Sequence, residues 1–337
     1  VSRRAREIAR CAAVVLAVLP VALAGCSATS PEASATDQLR IMVPNAAGGG
    51  YDTTARTVAV VLEQEGITER PEIFNLEGGS GGVGLARTVH ERGNPDLLMM
   101  MGLGVVGSVH TNDIAADLDQ VTPVARLLSE PEVVLVRTTS EHRGLRSLVR
   151  AWREDPGSIV VGGGSLAGGP DHLATHLLAQ AVRIDPRKVR YRQYDGGGPL
   201  LAALFTGRVD VAVSGVLENI EQVRAGAVRV LAVTGEHRVP GVEAPTLQEA
   251  GVPLEFANWR GFVAPPGLTP RERARLVSIV TRMHDSPSWR EAEQANGWTD
   301  AFLTGHAFGS FLDEESARVR ELLARLGMEP GEQQVTP

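Results

Sequence analysis

Short apolar runs that close on glycine-rich turns and pass into amphipathic stretches recur along this chain. "LRIMVP" (Leu39 to Pro44) precedes "NAAGGGYD", "EIFNL" precedes "EGGSGGVG", and "SIVV" precedes "GGGSLAGGPDHL". Each run is too short for a helix, and the stretch after each turn repeats at helical spacing, so each unit reads β-α. A chain that alternates in this way pairs its strands mainly in parallel through crossover helices, which places it in the α/β class.

Further strands are expected at "LLMMMG", "PEVVLVRT", "VRYRQY", "VDVAVSG", "VRVLAVT" and "NWRGFVAPPG". Helices are expected over Thr53 to Glu65, "GGVGLARTVHER", the region around Ser147 to Arg153, Asp171 to Val182, Pro199 to Phe205 and Glu218 to Ala225. Two long helices, Pro270 to His284 and His306 to Leu326, close the pattern. In the last, Phe308, Phe311, Leu312, Val319, Leu322, Leu323 and Leu326 share a core-facing stripe. Two runs of β-α units with two crossing segments predict two lobes and a cleft. Ligands of such sheets sit at the carboxyl ends of strands, where the glycine loops fall.

In "NAAGGGYD" the glycines can turn backbone N–H groups inward while the following helix start adds a positive dipole end, a design suited to an anion. Asp52 reads equally as the N-cap of that helix or as a ligand contact. "GGGSLAGGPDHL" (Gly162 to Leu173) repeats the design in the other half, with Ser165 able to donate to a carboxylate and Asp171 able to cap. "NLEGGSGGVG" (Asn75 to Gly84) and "YDGGGPL" (Tyr194 to Leu200) are further turns of the same kind. Two such loops, one in each lobe, are expected to face each other across the cleft.

Several chemistries are excluded. Lys188, in "DPRKVR", is the only lysine, so no Walker A loop exists and a Schiff-base lysine has no apolar setting. "GLGVVG" (Gly102 to Gly107) matches the dinucleotide spacing, yet it leads into "SVHTND", read as non-helical, and "TPVAR" lacks the acid of the next strand. His172 and His176 share a helical face without a third metal ligand or the Glu of H-E-x-x-H, and read as a first-turn polar pair. No G-x-S-x-G surrounds Ser165 or Ser214. No cofactor and no metal is expected. The formal charge of -7 leaves no basic footprint for nucleic acid.

The N-terminus reads as a targeting segment. Four arginines precede the apolar stretch Ala12 to Ala24, which falls short of the ~20 residues that span a bilayer, and "LAGC" ends it at Cys26. Residues 1–25 are expected to be a lipoprotein signal peptide, with Cys26 lipidated, and 26–38 a flexible tether of small polar residues. Without the four arginines and Glu7 of that segment the net charge is -10. Such a chain must hold an anion through local geometry rather than global attraction. Cys11, the other cysteine, lies in the signal, so no disulfide is expected.

These pieces together resemble the substrate-binding proteins of the tripartite tricarboxylate transporter family, the Bug-type receptors. The marks run from Leu39 to about Met328. They are Pro44-x-x-x-Gly48-Gly49-x-x-Asp52, "GGSGGVG", "GGGSLAGGPDHL", "YDGGGPLLAALFTGRVDVAVSG", "VRVLAVT", "APTLQEAG" and "NWRGFVAPPGLTP". "GGGYDTTAR", "MMMGLG" and "GGPDHL" are similar to the branch named for citrate and related tricarboxylates. Asn45 stands where many members carry an aromatic residue.

The resemblance implies a two-lobed type 2 periplasmic-binding-protein fold, with two mainly parallel sheets flanked by helices and a ligand cleft between the lobes. Residues 39–137 plus 258–328 would form one lobe, 138–257 the other, and 329–337 a tail. It implies two loops acting as pincers on a carboxylate: Asn45, Ala46, Ala47, Gly48, Gly49, Gly50, Tyr51 and Asp52 in the first, and Gly163, Gly164, Ser165, Leu166, Ala167 and Gly168 in the second. Gly79, Ser80, Tyr194, Ser214 and Glu218 would lie on the rim. The implied function is an extracytoplasmic, lipid-anchored monomer that delivers a small polycarboxylate to membrane permease subunits. The alternatives are a lipid-anchored hydrolase using Ser165 and His172, and a stand-alone carboxylate sensor.

Overall fold

A computed structural model of the chain describes residues 38–112, 114–194 and 196–328. The expected signal peptide, Cys26, all of the tether but residue 38, and the 329–337 tail lie outside the described residues. Among those described, no helix is long and apolar enough to cross a membrane.

The first β-α units build as the turns dictate. β1 (Arg40–Val43) leads into α1 (Gly50–Gln64), β2 (Glu72–Asn75) into α2 (Gly82–His90), and β3 (Leu97–Gly102) into α3 (Leu103–Thr111). β1 lies between β2 and β3, parallel to both. β3 is buried at every residue, as a central strand covered on both faces must be. α3 corrects the sequence reading: the glycines of "GLGVVG" open a helix that runs through Thr111. They serve close packing, because a methyl at Gly102 would overlap the Trp259 carbonyl and one at Gly107 would overlap the Gly168 carbonyl.

The second half repeats the plan. After β4 (Thr122–Arg137) come α4 (Leu145–Glu154), β5 (Val160–Gly163), α5 (Pro170–Ala181), β6 (Arg190–Gln193), α6 (Gly197–Phe205), β7 (Val211–Gly215), α7 (Val216–Arg224) and β8 (Val228–Val233). β5 lies between β6 and β7, parallel to both. The chain returns through β9 (Ala257–Ala264), then α8 (Pro270–His284), α9 (Pro287–Asn296), β10 (Thr299–Thr304) and α10 (Gly305–Leu326).

The main path of the sheet is β2-β1-β3-β9-β4-β7-β5-β6, with β8 and β10 also pairing with β4. Parallel pairing holds within each flank. The crossing strands β4 and β9 pair antiparallel with every neighbour, because the chain runs out along one and back along the other. The sheet is therefore mixed and curled. β4 is the joint: up to Pro131 it pairs with β9, and from Glu132 it pairs with β7 and β8. Residues 132–137, expected with the first lobe, thus hydrogen-bond to strands of the second half.

The crossing segments are stitched together at this point. Glu132 N–H donates to Thr234 Oγ1 (2.8 Å), Thr234 N–H donates to the Glu132 carbonyl (2.9 Å), and Thr234 Oγ1 donates to the Phe256 carbonyl (2.6 Å). α10 packs on β4 and α3, and its Phe308 and Phe311 meet Trp259 edge-on at 5.8 and 5.2 Å. Trp259 Nε1 donates to Glu315 (3.2 Å), which satisfies the one polar atom of a buried indole.

Candidate functional site

The first loop joins β1 to α1. Its N-cap is Gly49, with no side-chain cap, so Asp52 is not the N-cap. Asp52 is the third helical residue, and its buried carboxylate reaches back to accept the Gly48 N–H (2.9 Å). It also accepts from Arg56 Nε (2.8 Å) and Nη2 (2.9 Å) and from Asn75 Nδ2 (3.1 Å). Burial alone would raise its pKa; Arg56, Gly48 and Asn75 together outweigh burial and hold it below the ordinary value. Gly48 takes φ +86°, which only glycine adopts at little cost. Asn45, Ala47 and Gly48 are exposed, Ala46, Gly49 and Gly50 partly so, and the Asn45 carbonyl accepts from Asn75 Nδ2 (2.9 Å).

The second loop joins β5 to α5 on the same plan. The N-cap is again a glycine, Gly169, and Asp171 in the first turn accepts the Gly164 N–H (2.5 Å). The capping hydroxyl is that of Ser165, whose Oγ accepts the Asp171 N–H (3.1 Å). Tyr191 Oη donates to the Ser165 carbonyl (2.9 Å), and Thr111 Oγ1 to the Ala167 carbonyl (3.4 Å). Gly168 has φ +82° and its N–H donates to His172 Nδ1 (3.3 Å). Leu166 is 41% exposed at the tip.

In each loop, then, one glycine N–H is spent on a first-turn carboxylate of the following helix. Among the described residues, the N–H groups of Ala46, Ala47 and Gly49 in the first loop meet no protein acceptor. Those of Ser165, Leu166 and Ala167 in the second meet none either. α3 lies between the two loops. Tyr51 sits at its start against Gly102 and Gly104, with burial pushing its hydroxyl up to about 12. The second loop rests on Gly107 and Thr111 of the same helix.

The rim positions are more varied. Gly78, Gly79, Ser80 and Gly81 all have positive φ, and Ser80 at +55° is one of two such non-glycine residues among those described. A strained Ser between glycines marks a backbone held by its surroundings. Tyr194 donates its N–H to the Gly163 carbonyl (2.8 Å) and packs on a second apolar cluster. Ser214 is fully buried and donates to Glu218 Oε2 (3.3 Å). Glu218, in the first turn of α7, abuts Gly197.

His172 and His176 are buried, 4.2 Å apart between ring centroids, with Tyr191 edge-on to His172 at 5.0 Å. Burial holds both below the ordinary imidazole value, His172 well below. They form an aromatic cluster under the second loop rather than the expected first-turn polar pair. Ser165 and His172 do not make a nucleophile–base pair: Ser165 Oγ accepts from Asp171 N–H, and His172 Nδ1 accepts from Gly168 N–H.

The tertiary structure adds residues absent from the sequence reading. Arg260 of β9 is buried against the start of α1, donating from Nη1 to Thr54 Oγ1 (3.2 Å) and from Nη2 to Glu130 Oε2 (2.5 Å). A methyl at Gly50 would overlap its guanidinium. Burial works against the Arg260 charge, but Glu130 and Glu218 outweigh it and hold its pKa above the ordinary value. Glu130 Oε1 accepts the Leu217 N–H (2.9 Å) at the start of α7. "NWRG" reads as a strand, and an arginine in an otherwise apolar run is the one local mark of this buried charge.

An α/β chain of two β-α halves joined by crossing strands, with glycine loops and helix N-termini gathered where they meet, is the architecture of a solute-binding receptor. Residues 57–328 match the tripartite tricarboxylate transporter family receptor, TctC, and the chain belongs to this family. It is a receptor and not an enzyme, so the hydrolase alternative falls. A Pseudomonas sp. (strain P51) protein from the tcbD-tcbE intergenic region is 30% identical over 289 residues, covering 84% of each chain. Two solved structures share the fold. Rpa4515 of R. palustris with adipate has a TM-score of 0.77 at 24% identity, covering 87% of this chain and 98% of that one. MatC from Rhodopseudomonas palustris with bound malate has a TM-score of 0.72 at 24% identity, covering 85% and 98%.

Proposed function

We propose that this receptor captures a small polycarboxylate, citrate or a related tri- or dicarboxylate, outside the cytoplasm and delivers it to the permease subunits of a tripartite transporter. The observation that carries the reading is the paired loop design. Each loop is pinned by a first-turn acid, and each keeps at least three N–H groups without a protein acceptor among the described residues. Oriented amides next to a helix N-terminus suit a carboxylate, and they do so without adding charge to an acidic protein. The malate and adipate bound by the two structural neighbours are of the same chemical class.

In this reading the chain works as two lobes that close on the ligand, with the joint at Pro131–Glu132 and the returning strand β9, and lipidated Cys26 tethers it as a monomer to the membrane. Titration calorimetry with citrate, malate and adipate tests the ligand class. Absence of binding to every di- and tricarboxylate, with binding to uncharged solutes instead, would overturn it.

A further inference from the structure

Glu132 is the least explained polar group near the loops. It is 1% exposed, and neither carboxylate oxygen has a hydrogen-bond partner among the described residues. An unpaired ionised carboxylate in such a place would cost several kcal/mol, and native proteins avoid that by supplying a donor, a counter-ion or a proton. Glu132 and Glu130 alternate on β4, so both side chains fall on one face of the strand. The charged neighbours of Glu132 that act on it most strongly are mostly acids: Asp171 on α5, Glu130 on its own strand and Glu218 on α7, with Arg260 on β9 opposing them. Arg260 spends Nη1 on Thr54 and Nη2 on Glu130, and its buried Nε has no partner among the described residues. Glu132 pairs with Gly215 of β7, and Val213 of β7 pairs with Gly163 at the end of β5, so Glu132 lies beside the strand ends from which the second loop leaves, where Asp171 binds the Gly164 N–H and Tyr191 the Ser165 carbonyl.

We infer that Glu132 is a ligand-binding residue of this receptor that works as a neutral carboxylic acid, its O–H donating to a carboxylate oxygen of the ligand held by the second loop. This rests on the carboxylate-receptor reading above. Burial, followed by Asp171, Glu130 and Glu218, pushes the acid well above the ordinary carboxyl range, with Arg260 opposing. A neutral donor resolves the charge conflict of placing an anionic ligand beside three other carboxyl groups. It also makes capture pH-dependent. Binding is strongest while Glu132 keeps its proton and weakens as pH rises through its raised pKa, because the ionised form repels the ligand. Its backbone ties to Thr234 place the acid at the crossing of the two halves, where a change of charge acts on closure as well.

The test compares wild type, Glu132→Gln and Glu132→Ala by calorimetry with malate and citrate from pH 6 to 9, in buffers of different ionisation enthalpy. Glutamine keeps a neutral donor, so Glu132→Gln is expected to bind within about threefold of wild type at pH 6 and to lose the part of the pH dependence that Glu132 carries, leaving only that of Asp171, which the double variant with Asp171→Asn removes. Glu132→Ala is expected to bind about 10- to 100-fold more weakly. Difference infrared spectroscopy of ligand-free wild type minus Glu132→Gln gives a ligand-independent readout, a protonated carboxyl band at pH 7. Absence of that band overturns the inference even if no carboxylate binds, whereas absence of carboxylate binding with the band present overturns the receptor reading and the donor role with it. Equal loss in Glu132→Gln and Glu132→Ala also overturns it, as does preference for an amino-bearing carboxylate lost in Glu132→Gln, which would mean an ionised partner for a ligand cation. Unchanged binding in both variants does the same.

Discussion

Replacing Glu130 with alanine perturbs the most buried ion pair of the described structure. The Glu130 and Arg260 side chains are 1% and 4% exposed, and the carboxylate serves both the guanidinium and the Leu217 N–H. Alanine removes two charge-assisted hydrogen bonds, worth roughly 1.5–3 kcal/mol each, and strands a buried arginine. Both routes to the magnitude agree on about 3–5 kcal/mol of destabilisation. A chain of this size should lose on the order of 10 °C in Tm, at roughly 2–4 °C per kcal/mol. A pair buried at such desolvation cost contributes little net stability against apolar side chains of similar volume. The double variant Glu130→Leu/Arg260→Met is therefore expected to recover to within about 2 kcal/mol of wild type. Urea unfolding followed by circular dichroism on Glu130→Leu, Arg260→Met and the double completes the cycle, with Glu130→Ala measured beside them. A loss below about 1 kcal/mol in Glu130→Ala, or a double variant as costly as the sum of the singles, would refute the reasoning.

Gly49 has φ −79° and a methyl there would meet only the Ala46 carbonyl at 3.7 Å, so Gly49→Leu should fold and yet weaken malate binding at least tenfold by blocking the loop amides; melting curves and calorimetry check the two halves separately. Gly164 offers no such clean test, since its Cβ would lie 2.9 Å from the Gly196 backbone, and Gly164→Leu is expected to lose stability as well as binding in the same two measurements. Asp52→Asn should cost about 1–2 kcal/mol in urea by weakening the Arg56 and Gly48 bonds. Because the folded-state pKa of Asp52 is lowered, its contribution is present above the ordinary carboxyl value and lost as pH falls through the lowered one, so the variant should narrow its gap to wild type on acid titration. Asp171 is pushed up to about 8, by burial first and then by Glu218. Its neutral form is the stable one, stability is lost as pH rises from the ordinary carboxyl range through about 8, and Asp171→Asn should flatten the dependence of Tm on pH between 6 and 9.

The β-α alternation was legible because its signals are local: apolar runs, glycine turns and helical spacing each lie within a dozen residues. The helix from Pro270 to His284 could be read to its ends, since Thr269 and Glu272 form a capping box around a proline at the first position. α9 and β10 carry comparable signals, Ser286 as N-cap, Pro287 at the first helical position and Gly297 in the left-handed C-cap, but they are short and lie between two longer helices whose periodicity dominates the region. The two loops could be placed from the sequence, but not the roles within them. Whether Asp52 caps α1 or reaches back to Gly48, and whether Asp171 or its neighbour Ser165 does the capping, depends on turn geometry that composition leaves open.

The remaining features belong to the tertiary structure alone. β4 reads as one apolar strand beginning near Pro131, yet it starts at Thr122 and changes partners at Pro131–Glu132, because strands far along the chain, from Leu135↔Ala212 to Ala125↔Thr304, compete for its two edges. Arg260 and Glu130 are 130 residues apart in the chain and 2.5 Å apart in space. A buried charge records nothing in its local sequence beyond its own identity, since its energy is set by desolvation and by whichever charges the fold brings within a few ångströms. Local backbone preference and apolar periodicity therefore determined the elements. The crossing of the two halves determined which acids face one another and so which of them burial and like charge push above the ordinary carboxyl range.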